Sequence, residues 1–151
     1  MKARELMTYA PVTVTPEDSI SHAAVLMRDN RVGSLPVVEP GKTPVLVGII
    51  TDRDITMRCT AKGHLPSCRV QEHMTSHTIQ SVRADADVAE VLDKMDRLQV
   101  RRLPVVTDDN VLVGIVAQAD VATKYSNQSP MHVVSLLERM SEPSPLVALP
   151  R

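Results

Sequence analysis

The chain has 151 residues, of which 43% are hydrophobic and 23% are charged, so it is long and apolar enough to form a compact core. Its formal net charge is -1, and it contains two Tyr but no Phe or Trp, which argues against a nucleic-acid-binding protein. Two cysteines are too few for a disulfide framework, and no apolar segment has signal-peptide or membrane-spanning length. We therefore expect a cytoplasmic protein with reduced thiols.

One pattern occurs twice along the chain. Each copy follows a similar lead-in, ARELMT at residues 3–8 and VQEHMT at residues 70–75. Residues 12–15 (VTVT) and 79–82 (IQSV) then predict short extended segments.

A helix is predicted next in each copy, because apolar residues recur at helical spacing. Ser19 and Asp87 directly precede these residues and are good N-cap candidates, and Glu90 lies three residues after Asp87. The predicted apolar faces consist of Ile20, Ala23, Ala24 and Met27 in the first copy and Val88, Val91, Leu92 and Met95 in the second.

Two strands complete each copy, SLPVV and VLVGII in the first, RLPVV and VLVGIV in the second. A second helix is predicted where the polar clusters TDRD and AQAD begin. From the predicted helix onward, the copies differ in length at the turn between the strands, EPGKTP against TDDN, where insertions are tolerated. The pattern predicts two β-α-β-β-α units, residues 1–66 and 67–125, that need each other to bury their exposed faces.

Residues 126–151 form a third region. Residues 131–140 predict a short helix with Val133, Leu137 and Met140 on one face, and the proline-rich end SEPSPLVALPR is expected to fray. This apolar face either folds back on its own units or contacts a second chain.

The polar cluster at Thr51 has two interpretations. Thr51 and Asp54 have the spacing of a capping pair, which satisfies amides at a helix start. Alternatively, free amides at this helix start, together with the Thr51 hydroxyl, cradle a phosphate, and Asp54 accepts hydrogen bonds from a ribose. The second copy has Ala117 in place of Thr51 but keeps Asp120 in place of Asp54, which predicts two unequal clefts.

The paired LPVV and G-h-h-T-x-x-D motifs, where h is apolar, resemble those of tandem CBS domains, which form a Bateman module. The resemblance spans roughly residues 1–123 and implies an α/β fold in which two pseudo-symmetric units pack through their sheets, followed here by the short C-terminal helix. It also implies two clefts for AMP, ADP, ATP or S-adenosylmethionine, and a disc-shaped homodimer, which favours a second chain as the cover of the 131–140 helix.

The resemblance assigns roles to individual residues. Thr51 and Asp54 match the phosphate and ribose positions of the first cleft, and Asp120 matches the ribose position of the second. Arginines nearby could neutralise phosphate or could be solvated surface residues. The base is expected beside Val12, Thr13, Leu35 and Pro36, or beside Ile79, Gln80, Leu103 and Pro104, and the arginines are Arg53, Arg101 and Arg102.

Cysteine and histidine residues are concentrated in the connector between the copies. Their spacing is looser than that of structural zinc sites, so we predict no metal, and the alternative is a zinc site drawn from Cys59, His64, Cys68 and His73. The sequence shows no glycine-rich phosphate loop of the G-x-x-x-x-G-K type and no convincing nucleophile beside a base, so no enzyme is predicted.

The sequence thus predicts a regulatory, non-enzymatic protein that binds an adenosine-containing ligand between its units and signals to an unidentified partner protein. The alternative is a structural or interaction protein, possibly a metal-binding stress-response factor, without a physiological nucleotide.

Overall fold

The computed structural model describes residues 1–125 and 130–141. The predicted α/β architecture of two similar units is confirmed, and the hairpin strands and the helices beside them form in the predicted order. Of the two opening segments, residues 12–15 form only a single bridge, at Val14, and residues 79–82 contribute only Val82 to a strand. The strands are β1 (Thr8–Tyr9), β2 (Ser34–Val38), β3 (Leu46–Thr51), β4 (Val82–Arg83), β5 (Arg102–Val106) and β6 (Leu112–Ala117). The helices are α1 (Ala3–Leu6), α2 (Ile20–Asn30), α3 (Asp52–Asp54), α4 (Val88–Leu98), α5 (Gln118–Lys124) and α6 (Pro130–Ser141), with α3 continuing as a π-helical turn (Ile55–Cys59) and a 3-10 turn (Thr60–Lys62).

An antiparallel hairpin forms the centre of each unit. In the first unit β2 pairs with β3, and in the second β5 pairs with β6. Both hairpins start from equivalent pairs, Ser34 opposite Thr51 and Arg102 opposite Ala117, and both contain an irregularity before the last pair. The two sequence copies therefore have the same register, which places Thr51 and Ala117 at equivalent strand ends.

The lead-ins exchange units. Strand β1, from the lead-in of the first unit, pairs with β6 of the second, whereas Thr75, from the lead-in of the second unit, pairs with Ile49 of the first. The side chains of the lead-ins are likewise buried in the opposite units: Leu6 lies in the core of the second unit, and Val70 lies in the core of the first. Each unit therefore completes its sheet and its core with the other unit's lead-in, which the sequence did not predict.

The helix faces largely agree with the predicted ones. All four predicted residues of α4 are buried, but in α2 Ala24 is exposed while Ile20, Ala23 and Met27 are buried. Ser19 caps α2 by accepting a hydrogen bond from the His22 amide at 3.0 Å. Asp87 occupies the N-cap position of α4 without capping it: its carboxylate instead pairs with Lys2 Nζ at 2.9 Å, because the exchanged lead-in brings Lys2 beside it.

The two sheets meet at their hairpin turns. An apolar cluster of Val38, Leu46, Val106 and Leu112 joins the units there, with Ile79 packed against it. The Leu46 amide donates to the Asn110 carbonyl at 3.0 Å, and the Leu112 amide donates to the Pro44 carbonyl at 2.9 Å. This contact fixes the two units side by side and leaves their strand ends facing each other across open clefts.

Helix α6 packs on its own chain. Val133 is buried in the core of the second unit, Leu137 packs against that core, and Arg139 pairs with Asp96 of α4 at 2.9 Å. The preference for a second chain as the cover of this face is therefore wrong at Val133 and Leu137. The homodimer remains a prediction. Among the residues described here, none of the helices has the length and apolar content needed to cross a membrane.

Candidate functional site

Two clefts open between the units. The larger, which we call the Thr51 cleft, has a volume of about 820 Å³, and the smaller, the Asp120 cleft, about 330 Å³. Both volumes lie in the range of small-molecule sites. The two clefts share a wall made of Ser34 and Pro36 from the first unit and Arg102 and Ile115 from the second. The remaining lining of the Thr51 cleft is Gly33, Ile49, Thr51, Asp52, Arg53, Gln99, Val100, Arg101 and Pro104.

The turn at Thr51 is a complete capping box. The Thr51 hydroxyl oxygen accepts from the Asp54 amide at 3.0 Å, and the Asp54 carboxylate accepts from the Thr51 amide at 3.0 Å. The other Asp54 oxygen faces Arg58 Nε at 3.5 Å. The capping interpretation of this motif is therefore confirmed, and the hydroxyl proton of Thr51 stays available to a ligand because its oxygen acts as the acceptor.

The expected cradle of free amides is absent from this turn. The Asp52 amide donates to the Gly33 carbonyl at 2.9 Å, and the Arg53 amide donates to the Asp52 carboxylate at 2.8 Å. With the amides of Thr51 and Asp54 also engaged, the turn has no unused backbone donor from Thr51 to Asp54. A phosphate in the Thr51 cleft would have to be met by side chains.

The equivalent turn of the second unit is half a capping box. The Asp120 carboxylate accepts a hydrogen bond from the Ala117 amide at 2.7 Å, but Ala117 has no hydroxyl oxygen that could accept one from the Asp120 amide. The Gln118 amide donates to the Arg101 carbonyl at 2.9 Å, matching the bond between Asp52 and Gly33. Lys124 Nζ lies 3.9 Å from the Asp120 carboxylate. The predicted inequality of the two turns is therefore visible in their hydrogen bonds.

The structure distributes the predicted ligand residues over both clefts. Thr51, Arg53, Arg101 and Pro104 line the Thr51 cleft, whereas Val12, Leu35 and Asp120 line the Asp120 cleft; Pro36 and Arg102 line both. The exchange of lead-ins explains why Val12, from the first unit, lies in the same cleft as Asp120. The binding roles of these residues remain predictions.

Five predicted residues lie outside the lining of both clefts: Thr13, Asp54, Ile79, Leu103 and the half-buried Gln80. Asp54 is engaged in the capping box, Leu103 is buried in the core of the second unit, and Ile79 packs against the contact between the units. Thr13 is half-buried next to Val14, which pairs with β2. Sequence reasoning missed Gly33, Ser34, Gln99 and Ile115, although the first three closely precede the LPVV motifs or their equivalents.

Four of the connector's cysteines and histidines, Cys59, His64, Cys68 and His73, lie near one another. His73 is 3% exposed, its Nε2 has no hydrogen-bond partner among the described residues, and its ring centroid lies 5.2 Å from that of His64. Burial lowers the pKa of His73, and the neighbouring His64 lowers it further. Burial is the main cause that raises the pKa of the Cys59 thiol, and the neighbouring Cys68 raises it further.

A metal ion needs several donors around one point. The Cys59 thiol instead faces the backbone carbonyls of His64 at 3.8 Å and Leu65 at 3.7 Å. Within residues 1–125 and 130–141, no three side chains of the types Cys, His, Asp and Glu converge in a way that could hold a metal ion.

Comparison with known proteins identifies a family pattern in both units. The family model described as "CBS domain" matches residues 3–59 and 70–127. A relative from Bacillus subtilis, CBS domain-containing protein YhcV, is 42% identical over 127 residues, which is 83% of this chain and 87% of that protein.

Two solved structures have a similar fold. Hypoxic Response Protein I, solved with two coordinated zinc ions, matches with a TM-score of 0.73 and 34% identity over 82% of this chain and 98% of the other. The CBS domain pair of protein MJ0100, in complex with 5′-methylthioadenosine and S-adenosyl-L-methionine, matches with a TM-score of 0.72 and 28% identity over 84% of this chain and 97% of the other.

Proposed function

Since the chain belongs to the CBS-domain family, we propose that it is a regulatory protein that binds an adenosine-containing ligand between its two units and transmits the occupied state to a partner protein. The observation that carries this proposal is the Thr51 cleft. Its walls come from both units, with Pro36 and Thr51 on one side and Arg102 and Pro104 on the other. A ligand there would contact both units at once.

The mechanism follows from that position. A ligand that contacts both units binds best to one arrangement of them and so shifts the population toward that arrangement. Only this difference in affinity can transmit a signal to another protein. Small changes in the arrangement of the units would alter the surface that surrounds the cleft.

The ligand class is supported from two directions. The structurally similar domain pair of MJ0100 was solved with two adenosine compounds. In this chain the Thr51 cleft combines apolar walls for a base, at Pro36, Ile49 and Pro104, with a hydroxyl and guanidinium groups for polar parts of a ligand. Such side chains are suited to holding a nucleotide.

A thermal-melting screen tests the proposal. Adenosine, AMP, ADP, ATP and S-adenosylmethionine are added separately, and a ligand present at about 100 times its dissociation constant should stabilise the fold by about 2.7 kcal/mol. Ser34→Phe, which places a bulky ring on the wall shared by both clefts, should remove the shift. Thr43→Phe, in the exposed hairpin turn, is the matched control and should keep it. A cooperative melt with no shift for any compound would refute the proposal.

A further inference from the structure

The Thr51 cleft carries an excess of positive charge. Its lining contains Arg53, Arg101 and Arg102 but a single acid, Asp52. Among the described residues, none of these three guanidinium groups is in an ion pair, whereas Arg58, Arg83 and Arg139 are. The Asp52 carboxylate accepts the amide of Arg53 rather than pairing with a guanidinium. Several cationic donors are therefore free to meet an anionic ligand.

The backbone cannot take over this role. All amides from Thr51 to Asp54 already donate to protein acceptors, three within the turn and that of Asp52 to the Gly33 carbonyl, so the charge of a phosphate must be balanced by the arginines and the Thr51 hydroxyl. Guanidinium groups bind phosphate oxygens in pairs of parallel hydrogen bonds. Three guanidinium groups offer more paired hydrogen bonds than the oxygens of one terminal phosphate can use.

The arginines come from opposite sides of the cleft. Arg53 follows β3 of the first unit, whereas Arg101 and Arg102 lie at the start of β5 of the second unit. A chain of phosphates presents more oxygens to two opposite sides than a single phosphate group does. The volume of about 820 Å³ leaves room for such a chain beside a nucleoside.

The Asp120 cleft provides an internal comparison. It is smaller, contains Arg102 but neither Arg53 nor Arg101, and includes the Asp120 carboxylate. Ala117 supplies no hydroxyl there. The basic character is thus confined to the Thr51 cleft.

We propose that the Thr51 cleft selects adenosine ligands with two or three phosphates over those with one or none, and that Arg53 of the first unit and Arg101 and Arg102 of the second bind the phosphate chain from both sides. This selectivity rests on the proposed function. The ligand is then a direct bridge between the units, since its phosphates are held by one unit's arginine and the other unit's two. S-adenosylmethionine, which carries a sulfonium cation and no phosphate, is disfavoured by the same charges.

Titration calorimetry tests the selectivity. Adenosine, AMP, ADP, ATP and S-adenosylmethionine are titrated into the full chain at one fixed salt concentration with EDTA, because divalent cations neutralise phosphate charge. Solvent-accessible ion pairs contribute modestly, so ATP should bind about fivefold to tenfold more tightly than AMP, with ADP between them. This difference should shrink at high salt.

Variants assign the effect to the arginines. The double variant Arg53→Gln/Arg101→Gln should bind ATP no more tightly than AMP while keeping its affinity for adenosine. The control Arg4→Gln/Lys42→Gln removes the same number of positive charges at exposed residues outside both clefts and should keep the preference for ATP. Circular dichroism confirms that each variant is folded.

The outcomes separate the two proposals. If adenosine compounds bind but AMP, ATP and S-adenosylmethionine bind equally well, or the double variant weakens adenosine and ATP by the same factor, the selectivity is refuted and the proposed function stands. If no adenosine compound binds the folded wild-type chain, the proposed function fails and the selectivity fails with it.

Discussion

Replacing Ala117 by threonine should stabilise the protein, because it completes a capping box that is half formed. The backbone at Ala117 has φ -104° and ψ 155°, close to φ -117° and ψ 160° at Thr51, so a threonine there needs no rearrangement. The other bond of the box, from the Ala117 amide to the Asp120 carboxylate, already exists at 2.7 Å. The substitution adds one bond, donated by the Asp120 amide to the new hydroxyl oxygen, which is equivalent to the bond from the Asp54 amide to the Thr51 hydroxyl oxygen at 3.0 Å.

The expected gain follows from measured N-cap effects, which are about 0.5–2 kcal/mol and typically about 1 kcal/mol. Ala117 is half-buried at the edge of the Asp120 cleft, so the new hydroxyl proton can still bond to water and adds little desolvation cost. We therefore expect a free energy of unfolding about 1 kcal/mol higher. For a chain of this size that corresponds to a melting temperature roughly 2–4 °C higher.

Urea denaturation followed by circular dichroism measures the gain. Ala117→Val is the matched control, since valine has the shape of threonine without the hydroxyl. Ala117→Thr should exceed Ala117→Val by about 1 kcal/mol. The mirror change, Thr51→Val, should lower stability by a similar amount. Equal stability of Ala117→Thr and Ala117→Val would show that the hydroxyl does not cap α5 and would refute the reasoning.

Three further predictions concern other contacts. Gly114→Ala should destabilise by roughly 1–3 kcal/mol and more than Gly48→Ala, because the new Cβ would lie 2.9 Å from a lead-in backbone carbonyl instead of 3.1 Å; equal stabilities in urea would contradict this close packing. Asn110→Gly suits the left-handed backbone at this position but removes the side-chain hydrogen bond to the Leu46 carbonyl at 2.8 Å. The free energy of unfolding should therefore fall by about 1 kcal/mol. An unchanged urea midpoint would count against that bond. Burial holds the pKa of His73 below its ordinary value of 6.5, so on acidification the unfolded chain takes up the proton before the folded chain does. The free energy of unfolding should therefore fall as the pH drops below about 6.5. His73→Leu should flatten this fall, whereas His77→Leu, at an exposed histidine, should not. Urea melts at pH 7.5 and 5.5 measure the difference, and identical pH dependence in wild type and His73→Leu would rule out His73 as its source.

The repeated units were predictable because the apolar periodicity, the capping residues and the turn residues of the sequence all indicate the same elements. The strands of both hairpins, the apolar face of α4 and the cap at Ser19 all follow from periodicity and local chemistry. Tandem copies of one pattern also specify that the two units have the same register. These features depend on residues close together in the sequence.

The exchange of lead-ins could not be read from the sequence. ARELMT and VQEHMT resemble each other, so either one matches the surface of either unit, and only the three-dimensional path of the chain decides. The failure at Asp87 has the same cause, since the exchange brings Lys2 to that carboxylate in competition with the helix amide.

The candidate site was predictable in its residue types but not in its donors. The spacing of Thr51 and Asp54 predicts a cap, which the structure contains. The Asp52 amide is also occupied, by the Gly33 carbonyl just before β2, and nothing in the sequence indicates that contact. For α6, periodicity identified an apolar face at Val133 and Leu137 but carries no information on which surface covers it.

We expect the exchanged lead-ins to hold the two halves of the polypeptide together even after the chain is cut. Residues 60–67 are exposed, so a protease that cleaves after Lys62 would produce two fragments. The first fragment would keep β1 inserted beside β6 of the second, and the second would keep Thr75 paired with β3 of the first. Cleavage would therefore leave a nicked but assembled molecule, and fragments expressed separately would each lack an edge that only the other can supply.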